Sequence, residues 1–217
     1  MLKYLEDHVK KDTAPPQSMR EKILDAAADL FSRKGFYAVS IREITRTVGI
    51  KESSLYNHFR NKDQLLEEIL DLFQSQEEEF FSGLSSTTEI EKIAKSGKMK
   101  KFLSDELHCF IKFWDSPERE RLWFVVSMEQ HRNPRAARLI LQGFKQTRRA
   151  LKTLIQVLID HNMIAPQNSD LLAAEYTYTM RAMLLEYRLL KVTNQSTRAI
   201  KKTMNDYIQH FLERIQG

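Results

Sequence analysis

Residues 51–58 read Lys51-Glu52-Ser53-Ser54-Leu55-Tyr56-Asn57-His58. All but Leu55 can donate or accept hydrogen bonds, with a reach suited to base edges or phosphate oxygens. A core helix does not expose so many polar groups on one short turn, so the chemistry suggested is binding. The rest of the chain supplies no catalytic pattern. His8, His58, His108, His131, His161 and His210 are scattered, and no His-x-x-x-His, Cys-x-x-Cys, glycine-rich phosphate loop or Gly-x-Ser-x-Gly occurs. His58 has no second ligand four residues away, and Cys109 beside His108 reads as a core thiol rather than a nucleophile. No catalytic residue, metal or cofactor is expected. A lone cysteine suits a reducing cytoplasm.

Other elements must position this stretch. Helices at 41–48 and 52–59 are too short to be stable alone. They must dock on a helix at 18–34 through Ile41, Ile44, Val48, Leu55 and Phe59. Gly49, at the joint, allows the left-handed conformation that turns one helix into the next. This is a helix-turn-helix arrangement, whose second helix presents its N-terminal residues, here from Lys51 onward, to the major groove. Ser18…Glu21 and Ser40…Glu43 match capping boxes, Asn61…Gln64 is a weaker one, and Val39 with Ile44 forms a hydrophobic staple. The chain as a whole is expected to be all-α, with helices near 18–34, 41–48, 52–59, 62–82, 98–115, 117–131, 134–162, 168–192 and 196–215. Residues 83–97 read as a loop or a poorly ordered connection and 1–17 as a loose tail.

The run Gly35-Phe36, Val39-Ser40-Ile41-Arg42-Glu43-Ile44, Val48-Gly49-Ile50 and Ser54-Leu55-Tyr56-Asn57-His58-Phe59-Arg60-Asn61-Lys62-Asp63-Gln64-Leu65-Leu66 resembles the N-terminal domain of the TetR/AcrR family of bacterial repressors. The resemblance covers 18–66, with the helix-turn-helix motif at 40–59. It implies that Ser40 caps a helix and touches a phosphate, and that Arg42 reaches a base or phosphate. Ser53, Ser54 and Asn57 become candidates for base contacts, Tyr56 and His58 for phosphate contacts, and Lys62 for a phosphate met together with helix N-terminal amides. Tyr56 also reads as partly core. Glu52 either accepts from a cytosine amine or faces solvent.

Residues 67–217 resemble the family only in being helical and of suitable length. The resemblance implies an effector-binding and dimerisation domain there. Candidate pocket residues are Phe110, Trp114, Phe124, Met128, Phe144, Tyr176, Met180 and Met183, although each also suits a helical core. His108, Arg119, Glu175, Tyr178, Arg181 and Glu186 are candidate polar partners for an effector. The helices at 168–192 and 196–215 look too apolar to be covered on one side only. Met180, Met183, Leu184 and Tyr187 on one, and Met204, Ile208 and Phe211 on the other, are expected to pair with the same helices of a second subunit, and the resemblance implies that this is a four-helix homodimer interface.

Composition sets the frame. The chain has 217 residues, 42% apolar and 29% charged, with net charge +5. Residues 17–62 hold nine Lys/Arg against five acids, and 63–81 hold seven acids and no base. A basic block beside an acidic one suggests an anionic partner such as nucleic acid. No apolar run approaches a membrane span and no secretory signal is recognisable, so a cytoplasmic protein is expected. The expected function is a dimeric, ligand-responsive regulator, most simply a repressor, that binds a palindromic double-stranded operator and is released by a small, mostly apolar effector. The competing reading, a helical protein-interaction adaptor, leaves the polar helix unexplained.

Overall fold

The computed structural model describes residues 17–82 and 87–216. The expected tail lies outside them apart from Gln17, as does the start of the expected loop, 83–86. Among the described residues the elements are α1 (Met19–Lys34), α2 (Ile41–Val48), α3 (Glu52–Tyr56), α4 (Lys62–Ser82), α5 (Thr87–Lys95), α6 (Met99–Trp114), α7 (Pro117–Glu129), α8 (Pro134–Asp160), α9 (Ser169–Val192) and α10 (Arg198–Gln216). None is long and apolar enough to cross a membrane. The chain divides into two compact units. One holds residues 17–82 with Phe110–Gly143, and the other holds 87–109 with 144–216. The expected boundary after residue 66 falls inside α4, so the three N-terminal helices share a unit with later ones.

In the first unit, α1 begins with the expected capping box. Ser18 Oγ accepts from the Glu21 amide at 3.3 Å, and Glu21 Oε2 accepts from the Ser18 amide at 2.7 Å. The Ser18 amide, with the Ser18 hydroxyl donating to the same oxygen at 2.9 Å, holds the Glu21 carboxyl below its ordinary range. The other two boxes form by half. Ser40 Oγ accepts from the Glu43 amide at 3.2 Å, but the Glu43 carboxylate is taken by Lys34 Nζ. Asn61 Oδ1 accepts from the Gln64 amide at 2.9 Å, while Gln64 reaches past it to the Arg60 amide at 2.8 Å. Ile23, Ala27 and Phe31 of α1 are fully buried, as periodicity predicts. Helix α1 packs on α2, α4 and α7, and α4 also packs on α7.

In the second unit, α9 and α10 pack together. The Tyr176 ring lies 5.0 Å from Phe211 and 5.6 Å from Tyr207, measured between centroids. Burial pushes the Tyr176 hydroxyl upward in pKa. Two expectations need correction here. The segment read as a loop contains α5, because Ile90 buries and supplies an anchor that the Ser/Thr- and Lys-rich composition concealed. The apolar residues assigned to a second subunit are largely covered by their own chain. Met180, Tyr187, Met204, Ile208 and Phe211 are all buried, since α9 and α10 turn these faces inward. The large apolar side chains left exposed on α9 are Leu171, Tyr178, Leu185, Leu189 and Val192.

Candidate nucleic-acid interface

The α2–α3 joint is built by Gly49. Its φ of 77° and ψ of 31° are left-handed, which a β-carbon would strain. The chain then folds back, with the Gly49 amide on Arg46 O at 3.3 Å and the Ile50 amide on Thr45 O at 3.0 Å. These bonds satisfy carbonyls that the short helix leaves open. Helix α3 runs from 52 to 56, shorter than the 52–59 expected. Beyond it the backbone tightens, with the Asn57 amide on Ser54 O and the His58 amide on Leu55 O. Leu55 (0% exposed) and Phe59 (1%) anchor this segment at both ends.

The outward face carries the polar groups. Ser40, Arg42, Lys51, Ser53, Tyr56 and Asn57 are exposed, and Ser54, His58 and Lys62 are half-buried. Tyr56 is 53% exposed, so the idea that it belongs partly to the core is corrected: Leu55 fills the core and the tyrosine faces out. Arg42, Lys51 and Arg60 are exposed and take no part in the ion pairs that hold Arg20 to Glu68, Arg33 to Asp29 and Lys34 to Glu43. Among the described residues, these three cations enter no ion pair and face outward, where an anion could reach them.

Lys62 does more than sequence reasoning assigns it. Its Nζ donates to Phe36 O and Val39 O, both at 2.9 Å, and lies 4.2 Å from the centre of the Phe36 ring. Val39 directly precedes Ser40, the N-cap of α2. Two of the three ammonium donors are thus spent on the loop between α1 and α2, and one remains. The same loop is also held by Glu129 at the end of α7. Glu129 is 4% exposed, and its Oε1 accepts from the Phe36 amide at 3.2 Å. Gly35 turns with a φ of 79°, and a β-carbon there would meet Met128 Cε at 3.3 Å. Sequence reasoning missed Glu129, because its partner lies 93 residues away. It also passed over Tyr37, 66% exposed in this loop, whose hydroxyl is a further candidate phosphate donor.

The eight candidate effector residues fall four in each unit. In the first, Trp114 lies 5.3 Å from Phe73 and 6.4 Å from Phe110, which stacks edge-on to Phe80 of α4. Phe124 lies against Trp123, and Met128 is exposed beside Gly35. In the second unit, Phe144 lies 5.9 Å from Tyr178 and beneath the Arg181 guanidinium at 4.6 Å. Tyr176 and Met180 are buried, and Met183 is half-buried. No group of three metal-binding side chains occurs among the described residues.

Residues 23–69 match the model of the tetR family of bacterial regulatory proteins. The chain is 39% identical over 85 residues to the transcriptional repressor KstR2 of Rhodococcus jostii, a match spanning 37% of this chain and 42% of that protein. The chain therefore spans less than half the length of that curated relative. Two solved structures share the fold over nearly the whole chain. A TetR/AcrR-type regulator from Aquifex aeolicus superposes with a TM-score of 0.59 at 16% identity, covering 88% of this chain and 98% of that one. A protein from Saccharomonospora viridis in complex with choline gives 0.55 at 18% identity, covering 88% and 95%. Residues 23–69 thus carry the helix-turn-helix domain described by the tetR family of bacterial regulatory proteins, and the chain as a whole shares the all-helical fold of TetR/AcrR-type regulators.

Proposed function

We propose that the chain is a homodimeric transcriptional regulator that reads a palindromic operator through α3 and is released from it by a small, mostly apolar effector. The observation that carries this reading is the outward polar face of α3, locked from behind by Leu55 and Phe59. Ser53, Ser54 and Asn57 would meet base edges. Ser40, Lys51, Tyr56, His58 and the remaining donor of Lys62 would meet phosphates, with Arg42 at the groove edge. Residues 18–66 form the DNA-binding segment in this reading, and 67–217 the effector-binding and dimerisation part.

Dimerisation is assigned to α9, with α10 alongside. Leu171, Tyr178, Leu185 and Val192 recur every seven residues and, with Leu189, form an exposed apolar stripe along α9. Two-fold symmetry would present two reading helices to two half-sites. The aromatic side chains of α6 against α4 support an effector role, since displacing them would shift the helix that carries Lys62 at its start. A regulator from S. viridis with this fold holds choline, which fits a small-ligand role without naming the ligand here. By linkage, operator and effector must weaken one another by the same factor.

Selection from random duplex DNA, with the molecular mass in solution, tests the reading. The expected result is a dimer and an enriched palindrome whose affinity falls steeply between low and physiological salt. A monomer that enriches no sequence would favour the protein-interaction adaptor.

A further inference from the structure

A cavity of about 530 Å³ lies wholly within the second unit, lined by the end of α5, the start of α6, Leu158 of α8, the chain just after α8, and α10. Its size falls within the usual range for small-ligand sites. None of the eight aromatic and methionine residues discussed above lines it. Its walls include Met99, Leu158, Ile164, Leu212 and Ile215, all buried. Burying an alkyl chain against them removes apolar surface from water, and methionine adapts to its shape.

The polar lining has one sign in excess. Lys95 and Lys100 line the cavity together with Glu213. Lys100 Nζ donates to Gln209 Oε1 at 2.6 Å, and Gln209 Nε2 donates to Glu213 Oε1 at 2.7 Å, so the carboxylate is already engaged through the amide. Lys95 is exposed and takes part in no ion pair among the described residues. Five lysines and no acid occupy residues 92–101. Such a cluster raises the local concentration of anions.

We propose that this cavity is a binding site for an amphipathic anion, an aliphatic chain ending in a carboxylate. The chain enters between α6, α8 and α10, and the carboxylate meets Lys95 and Lys100. A simple inorganic anion would leave the apolar walls unused, and an uncharged chain would leave the lysines unused. This assignment does not rest on DNA binding, which is measured separately.

Decanoate is the probe, titrated calorimetrically into the full-length protein beside decanol and inorganic phosphate. One decanoate is expected per chain. Removing both charges in a Lys95→Ala, Lys100→Ala double variant should weaken binding about tenfold, the value of roughly one charge-assisted contact. Met163→Trp and Ala94→Trp fill the cavity from half-buried positions that a folded chain tolerates, and thermal melting verifies each. Both should abolish decanoate binding while leaving operator affinity unchanged. Decanoate binding that survives in a normally melting Met163→Trp or Ala94→Trp variant would overturn the proposal. So would decanol binding as tightly as decanoate, phosphate binding at the same site, or no decanoate binding at all.

Discussion

Several single side chains act through partners that are distant in sequence. Lys62 holds two carbonyls of the α1–α2 loop and Glu129 holds an amide of the same loop. Lys62→Ala is therefore expected to lower stability by about 1–3 kcal/mol, because two carbonyls lose a charged donor. Operator affinity should fall for all sequences alike, as expected if Lys62 also meets a phosphate. Denaturant unfolding alongside DNA titration checks both; unchanged stability with weakened binding would leave Lys62 a phosphate contact alone. Glu106, in the second unit, offers a different test. Burial, with Asp105 adding to it, pushes its carboxyl up to about 7 from 4.5. The folded state then holds its proton more tightly than the unfolded chain does. Stability should decline as pH rises through the window from about 4.5 to 7, by on the order of 2 kcal/mol after allowing for partial exposure. Glu106→Gln should remove that slope, so the variant gains in melting temperature relative to the parent at pH 8 but not at pH 4. A gain equal at both pH values would reject it. The sequence made the polar face of α3 legible, because Ser53, Ser54 and Asn57 need only a local helix to face outward. The second role of Lys62 was illegible, because its partners are backbone atoms 23 and 26 residues away.

At the scale of elements, local signals located what local forces decide. Ser18, Ser40 and Gly49 mark the ends of α1 and α2 because caps and left-handed turns act within a few residues. Ser40→Ala should cost about 1 kcal/mol of stability through the lost cap. Ser40→Asp, which caps equally well, should restore the melting temperature yet weaken DNA binding by placing a negative charge beside the phosphate. If Ser40→Asp binds the operator as the parent does, Ser40 is a cap and nothing more. Helix α9 shows where such reasoning stops. It is apolar on more than one side, and periodicity alone does not say which side its own chain covers. The structure buries Met180 and Tyr187 and leaves Leu171, Tyr178, Leu185, Leu189 and Val192 outside. Leu185→Lys should convert a dimer to a monomer by placing a charge in the middle of the stripe, whereas Lys202→Ala on the polar face of α10 should not. Light scattering of both variants decides; a Leu185→Lys variant that stays dimeric would move the interface elsewhere.

At the scale of the whole molecule, the chain joins a helix-turn-helix that the sequence describes closely to helices whose roles it leaves open. The match covers residues 23–69, while α7, which grips the α1–α2 loop through Glu129, lies beyond it. That division has a physical reason: a reading helix must suit one DNA groove, whereas a helical core accepts many packings of similar volume. In the proposed function, α3 reads base sequence. The most direct test compares the base preferences of the parent protein and Asn57→Ala at every position of a selected operator, at one salt concentration. Asn57→Ala is expected to relax the preference at a single position in each half-site, by about 1–3 kcal/mol for a bidentate contact, with the other positions unchanged. An unchanged preference profile, or a uniform loss at every position, would contradict it.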